Sequence, residues 1–321
     1  MNATVTVDIA GGQTGGAARF SAELHRYLKR TGRQDIHVVG AARCVDAAWL
    51  VRREMARPGR GRRVALNNVG FVTPGSERWT LLRNALHFLT EGELSRLDPS
   101  LRAAATRDAA VVRLAARRAD VLVVPSTAMA DRVTRILPST CSRIAVRPHP
   151  VSADAVPRLL REPAILCPVI FAPYKHMTER LAELLAAIED YPDASVRVRV
   201  TADRRDVPSS LAGNPRIEFV GQLHQRDLRQ LWARSRAIYF PTGLESFGYP
   251  LAEARVSGQP VIARDTEQNR EIAGPALCGF VPGEIASLQR AIERALTTEP
   301  VPAPVPFDPD AYFHWLLGPQ R

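Results

Sequence analysis

Apolar residues along the chain fall into two rhythms. Short runs rich in valine and isoleucine, bounded by glycine, proline or polar clusters, predict strands at TVTVDIA (4–10), DIHVVGA (35–41), VALNNVGFV (64–72), DVLVVPS (120–126) and RIAVRPHPV (143–151). Apolar positions three or four residues apart predict helices between them. In AARFSAELHRYLKRTG, residues Phe20, Leu24, Tyr27 and Leu28 share one face and Gly32 marks the end. Helices are also predicted near 79–91, over 101–118 and, briefly, after the strand at 120–126.

The alternation then pauses and restarts. Residues 152–163, SADAVPRLLREP, hold two prolines and no period, which reads as a linker. Strands are predicted beyond it at AILCPVI, SVRVRVTAD, RIEFVGQL, IYFPT and PVIARD, with helices at MTERLAELLAAIED, DLRQLWARSRA, from about Pro250, and at ASLQRAIERALTTE. The fold class is therefore α/β with parallel sheets, in two domains: 1–151 and 164–305. The remaining 306–321 include an amphipathic DAYFHWLLG, expected to pack back on the first domain. Open parallel sheets bind ligands at the carboxyl ends of their strands, so the cleft between two such domains is the expected site.

Composition adds a location and a bias. With 45% apolar and 24% charged residues the chain should fold, and no run approaches the roughly 18 apolar residues of a membrane span. The first residues read as a strand rather than a signal peptide, and the whole as a cytoplasmic protein. Cys44, Cys141, Cys167 and Cys278 are too scattered for a disulfide framework or a zinc site and are expected to be reduced core residues. Arginine so dominates the basic residues that either lysine, Lys29 or Lys175, stands out. Residues 1–150 carry 24 basic against 12 acidic side chains, whereas 151–321 carry 19 against 21. A field of +12 on the first half attracts a phosphorylated ligand or an anionic membrane, or simply reflects solvated arginine-rich faces. Nucleic acid is disfavoured, because no aromatic residues interleave the arginines of RPGRGRR and no reader module surrounds them.

Two strand-to-helix turns carry candidate chemistry. Gly11 to Gly16 offers backbone N–H groups and a helix N-terminus to a phosphate, with Gly15 and Gly16 closest to the helix. It lacks both the spacing of a dinucleotide fingerprint and an acidic residue ending the second strand, which argues against a nicotinamide enzyme. In IYFPTGLESFGYPLAEARVSG, a strand ends at Thr242 and a helix begins near Pro250, leaving N–H groups at about Phe247 to Tyr249 for a second anion. Seven residues separate Glu245 from Glu253 across that turn. Taken alone they read as a cap and a surface charge favoured by the helix dipole.

Residues 215–277 resemble the donor-binding part of the family 4 retaining glycosyltransferases, through NPRIEFVGQL, IYFPTGLESFGYPLAEA, SGQPVIARD and NREIAGPAL. Glu245 and Glu253 fall on the family's paired glutamates, and Lys175 in PVIFAPYKHMTERLAELL on its lysine. The glycine loop extends the resemblance, more loosely, to the first domain. It implies a GT-B fold of two Rossmann-like domains facing each other across a cleft, and a nucleotide-diphosphate-sugar as co-substrate, without metal or cofactor. It also implies that Glu245 holds the transferred sugar, Glu253 the ribose, Ser246, Phe247, Gly248 and Tyr249 the diphosphate, and Lys175 the leaving-group charge; the base lies near Leu223. Ile170 stands where the family has an arginine, so one diphosphate cation is missing.

Arg19, Asn67, Asn68 and His87 are the acceptor-side candidates, although an Asn after a strand commonly shapes a turn and a His on an apolar face is often core. His149 and His176 are weighed the same way, and Asp308 and Asp310 read as turn residues. The favoured partner is a small-molecule acceptor, as in enzymes that decorate actinobacterial natural products such as aminoglycoside antibiotics, which the chain loosely resembles. The charge of the first half supports a lipid or envelope acceptor at an anionic membrane instead. A sugar-nucleotide-binding protein without turnover is the third reading.

Overall fold

The computed structural model describes residues 5–13, 15–55, 61–74, 77–153, 160–168, 175–189 and 191–319. Position 170, part of the 152–163 linker and part of the first arginine-rich loop lie outside them. The chain divides into two compact units. Unit 1 is Met1–Pro150 with Glu245–Phe247 and Phe307–Arg321, and unit 2 is Val151–Leu244 with Gly248–Pro306.

Unit 1 runs β1 (Val5–Asp8), α1 (Gly15–Thr31), β2 (Ile36–Val39), α2 (Ala47–Met55), β3 (Arg62–Ala65), β4 (Glu77–Leu81), α3 (Glu91–Leu94), α4 (Pro99–Arg118), β5 (Val121–Val124), α5 (Thr127–Ile136) and β6 (Ile144–Val146). All strand pairs are parallel, in the order β2-β1-β3-β4-β5-β6. Strand order reverses between β1 and β3, so the loops leaving these two strands flank the position where open parallel sheets take ligands.

Unit 2 runs β7 (Glu162–Cys167), α6 (Met177–Ile188), β8 (Arg197–Val200), α7 (Ser209–Ala212), β9 (Ile217–Phe219), α8 (Gln225–Arg234), β10 (Ser235–Phe240), α9 (Tyr249–Ser257), β11 (Val261–Arg264), α10 (Glu267–Ala273), β12 (Leu277–Phe280) and α11 (Ile285–Thr297). Its sheet is again wholly parallel, ordered β12-β11-β10-β7-β8-β9, and reverses between β7 and β10. Side chains alternate along these strands: Ala237, Tyr239 and Ile262 join Leu181, Leu184 and Leu288 in the core under α6 and α11. Two six-stranded parallel sheets with flanking helices are the GT-B architecture.

The last helix, α12 (Pro309–Leu317), is counted with unit 1. Phe313 is fully buried against Phe20, Tyr27 and Tyr312. Arg62 donates to the Leu316 carbonyl at 2.7 Å and covers the Trp79 ring, which meets Trp315 edge-on. Asp308 caps the helix and Asp310 pairs with Arg30.

Three expectations are corrected. No helix forms over 79–91: that stretch holds the buried end of β4, a 3-10 turn at 85–88 begun by the Asn84 side chain, and the start of α3. The third strand ends at Ala65 rather than Val72, because Asn68 turns the chain with φ 69°. Cys167 and Cys278 are core residues, whereas Cys44 and Cys141 are exposed; all four are free thiols. Among the described residues no helix is long and apolar enough to cross a membrane.

Candidate active site

In unit 2 the loop leaving β10 passes through Gly243 and enters α9 at Tyr249. Gly248 stands at the N-cap with φ 79°. An added Cβ there would meet Leu251 Cδ1 at 2.9 Å and Phe240 Cε1 at 3.1 Å, so only glycine makes this entry without strain. No side chain caps α9, and the amides of Ser246 and Gly248 donate to no protein acceptor in the described structure. Two N–H groups just ahead of the helix, those of Ser246 and Gly248, are therefore open to an anion, whereas Leu251 N and Ala252 N are spent on the Gly248 carbonyl and Pro250 has none. Glu253 lies within α9, half-exposed, while Tyr249 is buried.

Glu245, Ser246 and Phe247 are held by unit 1. Ser126 Oγ donates to the Ser246 carbonyl at 2.9 Å, and Ser246 Oγ donates to the Arg83 carbonyl at 2.6 Å. The Phe247 ring is buried edge-on against His149, with centroids 4.9 Å apart. Both groups of the Ser246 side chain and carbonyl are thus used structurally, and only its amide is left to a ligand. The Glu245 carboxylate side chain is partly exposed.

Lys175, partly exposed, stands two residues before α6. His176 between them is the helix N-cap with φ 50°, a left-handed conformation that a non-glycine residue adopts at a cost of about 1 kcal/mol or more. Its ring is exposed and caps nothing. Among the described N-caps, only those of α6 and α9 are left-handed, and these helices follow β7 and β10, the two strands at the point of reversal. Leu223 follows β9 at the sheet's edge, after Gly221 (φ 68°) has donated to the Ala202 carbonyl.

In unit 1 the loop after β1 is drawn tight: Gly12 N donates to the Ile9 carbonyl at 3.1 Å and Gly11 N to the Arg43 carbonyl at 2.8 Å. Gly15 and Gly16 are exposed at the start of α1, with Gly15 at φ 55°, and Arg19 is partly exposed in the first turn and a half. Beneath the loop, the fully buried Asp8 carboxylate accepts from Ala10 N, Trp49 Nε1, Arg53 and Asn67 Nδ2. Asn67 is consumed in this network and also receives Val69 N. Asn68 accepts from Arg83 N at 2.7 Å, fixing the turn to β4. His87 is buried, with Asn84 Nδ2 3.4 Å from its Nε2, and burial drives its imidazole down to about 4. His149 is buried likewise and its imidazole lies well below the ordinary value for the same reason.

Sequence reasoning passed over three residues that the structure makes prominent. Asp8 had a signal, an acid inside an apolar strand run. Arg180 and Arg264 had none, because arginine is the background of this chain.

Residues 209–305 match the family model for glycosyl transferases group 1. That stretch contains the β10 loop, both glutamates and α9. Over 80 residues, a quarter of its length, the chain is 29% identical to the O-antigen chain mannosyltransferase B of Escherichia coli. Those residues span 21% of that protein's length, so this relative is much longer than the matched segment. The solved structure of WaaG, a glycosyltransferase involved in lipopolysaccharide biosynthesis, superposes with a TM-score of 0.64 at 14% identity, covering 98% of this chain and 96% of its own. AviGT4, a glycosyltransferase involved in avilamycin A biosynthesis, gives 0.59 at 13% identity and covers 99% of both chains. The chain has the GT-B fold of these glycosyltransferases.

Proposed function

We propose that this chain is a retaining glycosyltransferase that moves a sugar from a nucleoside-diphosphate-sugar to an acceptor hydroxyl. The observation that carries the proposal is the uncapped, left-handed entry to α9, inside the group 1 match, with Glu245 before it and Glu253 on it. Free N–H groups at such an entry suit a diphosphate, and a carboxylate suits vicinal hydroxyls because it accepts two hydrogen bonds at once.

In this reading Glu253 accepts from the ribose hydroxyls and Glu245 from hydroxyls of the transferred sugar. Lys175 stabilises the charge that gathers on the diphosphate as the glycosidic bond breaks. The acceptor oxygen attacks the anomeric carbon on the face the phosphate leaves, and the departing phosphate oxygen takes the acceptor's proton. The configuration is kept without an enzyme nucleophile. The reading is tested by calorimetric titration of nucleoside diphosphates and their sugar conjugates. Glu253→Ala should weaken both about tenfold or more, whereas Glu245→Ala should erase only the extra affinity contributed by the sugar. Unchanged binding and turnover in both variants would contradict it.

For the acceptor, a lipid or envelope glycan at an anionic membrane is supported by the basic first half, by the O-antigen relative and by the face of α4. That face exposes Val111 and Leu114 among Arg107, Arg117 and Arg118, with Asp108 the one acid beside them. The full-length likeness to AviGT4 supports the second reading, a small natural-product acceptor.

A further inference from the structure

Arg264 ends β11 on the same face as Ile262, toward α6. Its guanidinium lies against the backbone of Gly243 in the loop leaving β10, so closely that a methyl at position 243 would overlap Nη1. Gly243 has an ordinary backbone conformation, so a methyl added there would be met by the end of a flexible arginine side chain, which it would push aside. Arg180 stands nearby in the first turn of α6, whose backbone is tied to β10 by the Tyr239 hydroxyl donating to the Arg180 carbonyl at 3.0 Å.

Charge at this point is unbalanced. Glu183 is held by Arg180 at 2.8 Å, through both carboxylate oxygens. Arg264 makes no ion pair and donates no hydrogen bond through its guanidinium in the described structure, and its Nε is buried without a partner. Burial, then the Arg180 charge, lower the Arg264 guanidinium from its ordinary value, with Glu183 opposing. A half-buried cation close enough to feel a second cation, whose own carboxylate partner is Glu183, is an unfavourable arrangement until an anion arrives. The surroundings narrow the choice: the pair stands at the carboxyl ends of β7, β10 and β11, beside the loop that leads into α9.

We propose that Arg264, aided by Arg180, binds the diphosphate of the donor and supplies the cation that the resemblance places at position 170. This rests on the glycosyltransferase reading. Arginine suits the task because its planar fork can donate to two phosphate oxygens at once.

The test measures binding of UDP, GDP, dTDP and ADP, and of the corresponding nucleosides, to wild type, Arg264→Ala and Gly243→Ala, with melting of each protein alone. Arg264→Ala should lose about 10- to 100-fold in affinity for the preferred diphosphate and less than about twofold for its nucleoside. Gly243→Ala should lose a similar factor by displacing the guanidinium, and the double variant should lose no more than Arg264→Ala alone. Without ligand, Arg264→Ala should melt no lower than wild type, since it removes an unpaired charge. Wild-type affinity for the diphosphate in Arg264→Ala would overturn the proposal, as would a lower melting temperature accompanied by equal losses for nucleoside and diphosphate. Failure of wild type to bind any of the eight ligands would overturn the glycosyltransferase reading itself, and this proposal with it.

Discussion

Asp8 shows how much a single buried carboxylate organises at the end of a strand. Four donors from the β1 loop, α2 and the end of β3 converge on it, so α2 is fastened to the sheet by polar bonds rather than by packing alone. His87 is the opposite case, a titratable group whose burial outweighs the opposing charge of the Asp108 carboxylate. Its imidazole is pushed to about 4 in the folded protein against 6.5 unfolded, so it favours the neutral form. The unfolded chain therefore takes up the proton first as pH falls. Stability from this group is complete above pH 6.5 and is lost progressively between 6.5 and 4, by up to roughly 3 kcal/mol. Urea unfolding of wild type and His87→Gln at pH 7.5 and 5 should show wild type losing more stability than the variant; equal losses would contradict this. The alternation of His87 with apolar neighbours made a core histidine readable from sequence, whereas its partner Asn84 and its 3-10 setting depend on how the chain turns after β4.

Among the elements, those following a strict rhythm were legible and those in buried transitions were not. β10, its glycine turn and α9 were visible because strand, turn and helix each have their own residue chemistry. WTLLRNALHFL was read as a helix because a strand buried on both faces loses its alternation, and the apolar run that continues past it mimics helical spacing. α2 was missed because its nine residues are anchored chiefly by Trp49 and Arg53 bonding to Asp8, a tertiary interaction without periodic trace. α12 carries a prediction of its own. Phe313 fills a fully buried place among Phe20, Tyr27 and Tyr312, so Phe313→Ala should lower the unfolding free energy by about 3–5 kcal/mol. Denaturant titration checks it, and a loss below about 1 kcal/mol would mean that the helix contributes little to unit 1.

Over the whole molecule, the GT-B fold was readable from alternation and from the resemblance of 215–277, because each sheet is built from repeated strand–helix units. The chemistry was readable only in part. Paired glutamates announce themselves at their spacing, but a cation such as Arg264 becomes distinctive only when its position against Gly243 and its lack of a counter-charge are known. Acceptor class is a property of the same scale, since it depends on the field of the first 150 residues and on the face of α4. Cosedimentation with vesicles containing anionic phospholipid should be salt-sensitive and should fall severalfold in a Val111→Asp, Leu114→Asp double variant; absence of binding would favour a small soluble acceptor.

Every role proposed above depends on a nucleoside diphosphate binding at the loop after β10 and at α9. Thermal unfolding with UDP, GDP, dTDP and ADP tests it most directly, because a ligand that binds only the folded chain raises its melting temperature by mass action. A clear rise is expected with one of the four, larger with its sugar conjugate, and Glu253→Ala should cut it markedly at the same ligand concentration. The absence of a rise with every nucleotide, or a rise that Glu253→Ala leaves unchanged, would contradict it.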